Sequence, residues 1–234
     1  MSSRRDSETR KEELLEAATD LFLEKGYRDT SVSSIVKSIG VSKGTFYYYF
    51  ESKEDVVDGL VEKFSRPIYR KLDSIIASSS LNSLEKINNI FTAWMQMELD
   101  DKETVRKIFY LVYEPENLRL RNKIQKNAVE ETAPKITKVV RQGVEEGSLD
   151  TPFPGEVGSM ILWIGMELEE EMANDLLSGE QGVSSKKYLR KFKAYENAIE
   201  RMLGAPEGAI KLIEEEELRK FLSYLDRSDS TGTS

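Results

Sequence analysis

Residues 28–55 read RDTSVSSIVKSIGVSKGTFYYYFESKED, and the fold of the chain turns on them. Val32, Ile35, Val36 and Ile39 recur at helical spacing. That spacing predicts a short helix over 32–39 with those four side chains buried and Thr30 or Ser31 as its cap. Gly40 breaks the helix and supplies the positive φ that a tight turn needs, and Val41 plugs the angle between two helices. Ser42 caps a second short helix, 43–50. In it Phe46 and Phe50, four apart, point inward, while Ser42, Lys43, Gly44, Thr45, Tyr47 and Tyr48 face outward. Two short amphipathic helices joined at such a turn have helix-turn-helix spacing.

Charge singles out the same stretch. The 234-residue chain holds 34 Lys and Arg against 42 Asp and Glu, a net charge of −8. Between residues 25 and 53 there are five cations (Lys25, Arg28, Lys37, Lys43, Lys53) and two anions (Asp29, Glu51), a net of +3. A basic island on an acidic chain predicts a docking face for a polyanion rather than a general coat. Hydroxyls, tyrosines and backbone N–H groups at helix starts suit phosphate oxygens, and Gly44 lets a backbone approach closely. An arm holding Arg4, Arg5 and Arg10 precedes the first predicted helix, 11–25, whose stripe is Leu14, Leu15, Ala18, Leu21 and Phe22.

These residues resemble the N-terminal domain of TetR-like transcriptional regulators. The resemblance is carried by Ala17, Leu21 and Phe22, by Gly26-Tyr27, Thr30 and Ile35, by the unbroken run Gly40 to Phe50, and by Ser52-Lys53-Glu54. It covers about residues 10–60. It implies an all-α fold: a three-helix helix-turn-helix DNA-binding domain, then a helical domain for ligand binding and dimerisation. It further implies a homodimer on a palindromic double-stranded operator, released by a small effector, with repression the expected outcome. Carried over residue by residue, phosphate contacts fall on Thr30, Tyr47, Tyr48 and Lys53. Base or groove contacts fall on Ser42, Lys43, Gly44, Thr45 and Tyr49. Two departures are visible: Val36 and Ile39 stand where the family usually has alanines, and Pro67 interrupts a helix that the family keeps continuous.

Working outward, the pattern stays helical. A fourth helix starts at Lys53 behind a Ser52 cap, and Pro67 inside it predicts a kink or break near 64–67 and a candidate hinge. Further helices are expected at 84–99, 103–113, 117–132, 134–147, 156–177, 185–203 and 206–226. The domains are expected at 1–55 (DNA binding), 56–226 (effector binding and dimerisation) and 227–234 (a disordered tail with no apolar residue). Aromatic and Met side chains gather on the middle helices. Phe91, Trp94, Met95, Phe109, Tyr110, Tyr113 and Trp163 form either a plain core or a mostly apolar pocket for a hydrophobic, aromatic or amphipathic effector. Residues 160–166 are apolar on all sides of their helix, which predicts that 156–177 and 185–203 pack against a second copy.

Zero Cys and zero His exclude disulfides, Cys or His metal sites, Ser-His-Asp and Cys-His catalysis and histidine switching. No cofactor or metal is expected. The longest apolar run is far short of the ~20 residues of a membrane span. With no secretory signal pattern at its start, a cytoplasmic location is expected. Two other readings remain open at this point: a helical enzyme using paired carboxylates behind a helix-turn-helix head, and a dimeric adaptor.

Overall fold

A computed structural model of the chain describes residues 2–95, 109–178 and 185–225, and among the described residues there is no strand. The side chains of 2–7, 64, 95, 224 and 225 lie outside that description. So do the expected tail 227–234 and the parts of the expected helices at 96–99 and 103–108. Two compact units form: Met1–Arg66 with Lys107–Ile124, and Pro67–Arg106 with Gln125–Ser234.

In the first unit, α1 (Ser2–Asp29) carries the buried stripe that its spacing predicts, with Leu14, Ala18 and Phe22 fully enclosed. It begins at Ser2 rather than after an arm, because the charged residues from Arg4 to Glu13 are good helix formers and Arg10 pairs with Glu13 one turn on. Gly26 (φ 76, ψ 160) interrupts the helical conformation at the position its sequence marks. α2 (Val32–Ser38) and α3 (Lys43–Tyr49) follow, then α4 (Lys53–Ala77). Ser52 caps α4 by accepting the Asp55 N–H at 3.1 Å, and the Asp55 carboxylate accepts the Glu51 N–H at 2.9 Å. α4 is helical through Pro67, where a kink or break is expected. Pro67 and Lys63, whose carbonyl loses its helical partner, both lie on the exposed side of the helix. Residues 109–113 are helical, Pro115–Asn117 form one 3-10 turn, and Leu111 and Leu120 join the same core as Ile35, Phe46 and Leu60.

The second unit contains α5 (Ser83–Met95), most of α6 (Leu118–Glu146), α7 (Pro154–Leu177), α8 (Ser185–Leu203) and α9 (Glu215–Leu225). α5 opens with a reciprocal cap: Asn82 Oδ1 accepts the Glu85 N–H and Glu85 Oε2 accepts the Asn82 N–H, both at 2.9 Å. α6 is one helix where two are expected at 117–132 and 134–147. Pro134 sits on its exposed side, so the bond it removes is to the carbonyl of exposed Glu130 and the helix continues.

The last helix starts at Glu215, not at Pro206. Residues 204–214 are instead held in non-helical form by side chains. The Ile210 N–H donates to Glu200 Oε1 (3.1 Å) and the Leu212 N–H to Glu196 Oε1 (2.9 Å). Asn88 accepts from the Lys211 N–H and donates to the Ala209 carbonyl, both at 2.9 Å. Glu196 and Glu200 are buried, Ile210 and Ile213 enter the core, and these long-range partners outweigh local helix propensity. α9 then lays Leu218 and Leu222 beside Leu168, Met172, Tyr188 and Phe192 of α7 and α8. Tyr188 is fully enclosed and donates to Asp175 at 2.7 Å. Burial, then that bond, pushes its phenol pKa up, while the Lys187 and Tyr188 bonds hold Asp175 below the usual carboxylate range.

Candidate nucleic-acid interface

The turn between α2 and α3 is a Schellman closure. Gly40 has φ 67, its N–H reaches the Lys37 carbonyl at 3.4 Å, and the Val41 N–H reaches that of Val36 at 3.0 Å. The local caps explain why each helix is so short. Ser31 accepts the Ser34 N–H at 3.1 Å and Ser34 Oγ accepts the Ser31 N–H at 3.0 Å. Ser42 accepts the Thr45 N–H at 3.0 Å. Phe46 is fully buried and lies 5.7 Å from the ring of Phe50, so α3 is anchored by its inner face.

The outer face of α3 is open. Tyr47 is 56% exposed and Tyr48 76% exposed, so both phenols are open to a partner. Tyr47 packs edge-on against Phe46 at 5.4 Å and Tyr48 against Tyr49 at 4.8 Å, which fixes both rings without hiding them. Lys43 is exposed, and so is Gly44, where the backbone is bare on the outer side. Ser42 and Thr45 lie in the same patch with their hydroxyls 3.0 Å apart, and Tyr49 is half-buried. Ser42, Lys43, Gly44, Tyr47 and Tyr48 are thus exposed along α3 and its cap, with Thr45 and Tyr49 half-buried among them.

Thr30 and Lys53 sit elsewhere. Thr30 is 2% exposed, and its hydroxyl points at the carbonyl oxygens of Gly26 (2.9 Å) and Leu21 (3.1 Å). The Lys53 ammonium donates to the carbonyls of Tyr27 (2.6 Å), Thr30 (2.8 Å) and Arg28 (3.3 Å), and lies 4.1 Å above the Tyr27 ring. Burial lowers the Lys53 pKa. Tyr27 in turn donates its hydroxyl to Glu54 (2.8 Å) and its N–H to Asn117 Oδ1 (2.7 Å). Burial, then the Glu54 bond, pushes the Tyr27 phenol up to about 12, and the same bond holds Glu54 below the usual carboxylate range. Asn117 is a residue that the sequence pattern does not reveal: it is 90 positions from its partner and carries no local motif.

The seven candidate effector residues divide between the units. Phe109, Tyr110 and Tyr113 are buried in the first, with the Phe109 ring 5.9 Å from Tyr110 and 4.9 Å from Tyr113. Phe91 and Trp94 pack on the core of the second. There Tyr69 stands edge-on to Trp94 at 6.4 Å and donates to Asn127 at 2.8 Å, and the buried Trp94 indole N–H has no acceptor among the described residues. Trp163 is half-exposed on α7 beside Met160, and the side chain of Met95 lies outside the described residues. Among the described residues no helix is long and apolar enough to cross a membrane, and no three carboxylates are grouped to hold a metal ion.

An all-helical chain presenting a capped two-helix head with an exposed reading helix is, as a class, a helix-turn-helix protein. Residues 14–60 match the model of the bacterial regulatory proteins of the tetR family. Over 144 residues the chain is 31% identical to the HTH-type transcriptional repressor KstR2 of Mycobacterium tuberculosis, covering 59% of this chain and 68% of that one. Over 113 residues it is 31% identical to the fatty acid metabolism regulator protein of Bacillus subtilis, covering 48% and 57%. Among solved structures, the SmeT–triclosan complex superposes with a TM-score of 0.65 at 16% identity, over 88% of this chain and 98% of that one, a likeness of fold. The chain belongs to the tetR family of bacterial regulatory proteins: it is a DNA-binding transcriptional repressor, not an enzyme. The carboxylate-enzyme reading therefore falls.

Proposed function

We propose that the chain binds a palindromic operator as a homodimer in the cytoplasm and releases it when a hydrophobic or amphipathic small molecule occupies the second unit. The observation that carries this reading is the outer face of α3, where Lys43, Gly44, Tyr47 and Tyr48 stand exposed on a helix whose opposite side is locked by Phe46. Lys43 and the two phenols supply donors to phosphate, and bare Gly44 permits close approach in the major groove. Ser42, Thr45 and Tyr49 shape the same edge.

Dimerisation is supported by the outer stripe of α7. Phe153, Met160 and Trp163 are exposed at coiled-coil spacing, with exposed Glu156 and Glu167 on the same stripe. The outer side of α8 carries exposed Lys186, Arg190, Lys193 and Arg201. Two copies related by a twofold axis set apolar stripe against apolar stripe and acidic edge against basic edge. Two reading helices about 34 Å apart then match successive major grooves.

For the effector, the Trp94 indole N–H, buried near the Tyr69 ring and without an acceptor among the described residues, favours a largely apolar molecule with an oxygen acceptor. Such a molecule releases DNA only by binding more tightly to a conformer with the wrong spacing, and Pro67, the first residue of the second unit, is the proposed hinge. The test is selection of duplexes from a random pool by the full chain, with native mass spectrometry of the complex. Enriched inverted repeats carrying two chains support the reading. Enrichment of no sequence, or one chain per duplex, contradicts it.

A further inference from the structure

We propose that Lys53 is a positioning residue for the reading helices and not a phosphate contact. Together with Asn117 it fixes the junction of α1 and α2 in the pose that presents α3. The proposal rests on the reading that α3 lies on duplex DNA.

A lysine ammonium has three N–H donors. Three backbone carbonyls, those of Tyr27, Arg28 and Thr30, lie 2.6, 3.3 and 2.8 Å from the Lys53 nitrogen. Every proton has an acceptor inside the protein, and the Tyr27 ring face covers the nitrogen from 4.1 Å. A phosphate oxygen finds no free proton there unless a carbonyl is given up.

What the lysine secures is the short connection from α1 to α2. Residues 27–30 pass through a region where Gly26 has left the helical conformation, so α1 itself does not set their path. Each polar group of Tyr27 is taken from outside α1, one by the 3-10 turn and two by the start of α4. Its N–H goes to Asn117 in the 3-10 turn, its carbonyl to Lys53 and its hydroxyl to Glu54 in α4. Thr30, next to the Ser31 cap of α2, is held by its carbonyl to Lys53 and by its hydroxyl to α1. The direction in which α2 leaves is thereby fixed, and the Gly40 turn passes that direction on to α3. Asn117 is 1% exposed and cannot touch DNA itself, so any effect of its replacement on operator affinity acts through this junction.

The test measures affinity of the full chain for a palindromic duplex selected by the wild type, across roughly 50–200 mM KCl, where each lost phosphate contact lowers the slope of log K against log salt by about 0.9. Lys53→Met is expected to raise Kd about tenfold or more at fixed salt, a loss of ~1.4 kcal/mol, with the slope unchanged. Lys53→Arg keeps the charge but is expected not to restore affinity, because a planar fork does not converge on three carbonyls as an ammonium does. Asn117→Ala is expected to behave like Lys53→Met. Lys43→Met, at a surface lysine of the reading face, is expected to lose about 0.9 of slope per protomer.

Loss of slope in Lys53→Met with rescue by Arg overturns the proposal, as does an unchanged Kd. A wild type that binds no duplex overturns both this proposal and the function it rests on. Acetylation footprinting of the wild type, read by mass spectrometry, decides the matter even where a variant does not fold. Lys53 is expected to react slowly and equally with and without DNA, while Lys43 becomes protected only on DNA. Protection of Lys53 that appears only with DNA refutes the positioning role.

Discussion

Gly40→Ala tests the turn on which the head depends. Gly40 has φ 67 and no atom within 4 Å of where a Cβ would stand, so the substitution meets backbone strain and nothing else. An L-residue in that left-handed region costs about 1–2 kcal/mol. Alanine gives back about 0.4–1 kcal/mol by narrowing the unfolded ensemble. The net expectation is a loss of about 0.8 kcal/mol at the midpoints, within limits of about 0 and 1.6 kcal/mol. Gly40→Asn is expected to lose less, because asparagine visits this region more readily than alanine. Gly204→Ala is the contrast: φ is 61, but a Cβ there stands 2.0 Å from the Asp150 carbonyl oxygen, and Asp150 is itself tied to Leu203 by a 2.9 Å backbone bond. That variant is expected to lose more than Gly40→Ala because neither backbone can yield. Urea unfolding followed by circular dichroism reads all three as midpoint shifts at constant slope. An alanine at 40 more stable than wild type, or an asparagine worse than alanine, refutes the reasoning about the turn.

Glu200→Ala leaves the Ile210 N–H without its acceptor, so about 1–3 kcal/mol should be lost and the Ile210 amide should exchange faster in hydrogen-exchange mass spectrometry. Stability should fall as pH rises from about 10 to about 12: the folded Tyr27 phenol holds its proton up to about 12 against an ordinary ~10, a contribution of order 2–3 kcal/mol that is complete below the lower value. Tyr27→Phe should flatten that part of a pH–stability profile. Asp175 runs the other way, because its pKa is lowered by Lys187 and Tyr188; its contribution is present above the ordinary ~3.9 and lost as pH falls past it. Trp163→Arg, at a half-exposed position on α7, should leave helicity unchanged and shift sedimentation towards the monomer; an undisturbed dimer removes α7 from the interface.

Much of the head is legible in the chain because its determinants are local. The Ser31 and Ser42 caps, the Gly40 turn and the Phe46–Phe50 pair lie within a few residues of what they organise, and the structure reproduces each. Neither proline breaks its helix, and their surroundings explain why. Pro67 and Pro134 both sit on exposed helix faces, where the carbonyl deprived of a partner can be hydrated, so α4 and α6 continue. The 206–214 segment reads as helix, yet Asn88, Glu196 and Glu200 take its backbone groups from 10 to 123 positions away. At the candidate site Lys53 meets the carbonyls of Tyr27, Arg28 and Thr30 from 23 to 26 positions away, which no short motif records. Asn117, brought to Tyr27 from 90 residues away, had no signal at all.

The central claim is that α3 reads duplex DNA through its exposed face. Fluorescence-anisotropy titration of the full chain with a selected palindromic duplex, beside the double variant Lys43→Ala, Tyr47→Ala, tests it most directly. Saturable wild-type binding that weakens steeply between about 50 and 200 mM salt is expected, with a double variant that folds normally and loses that binding. Equal binding by wild type and variant, or no wild-type binding even at the lower salt, contradicts it.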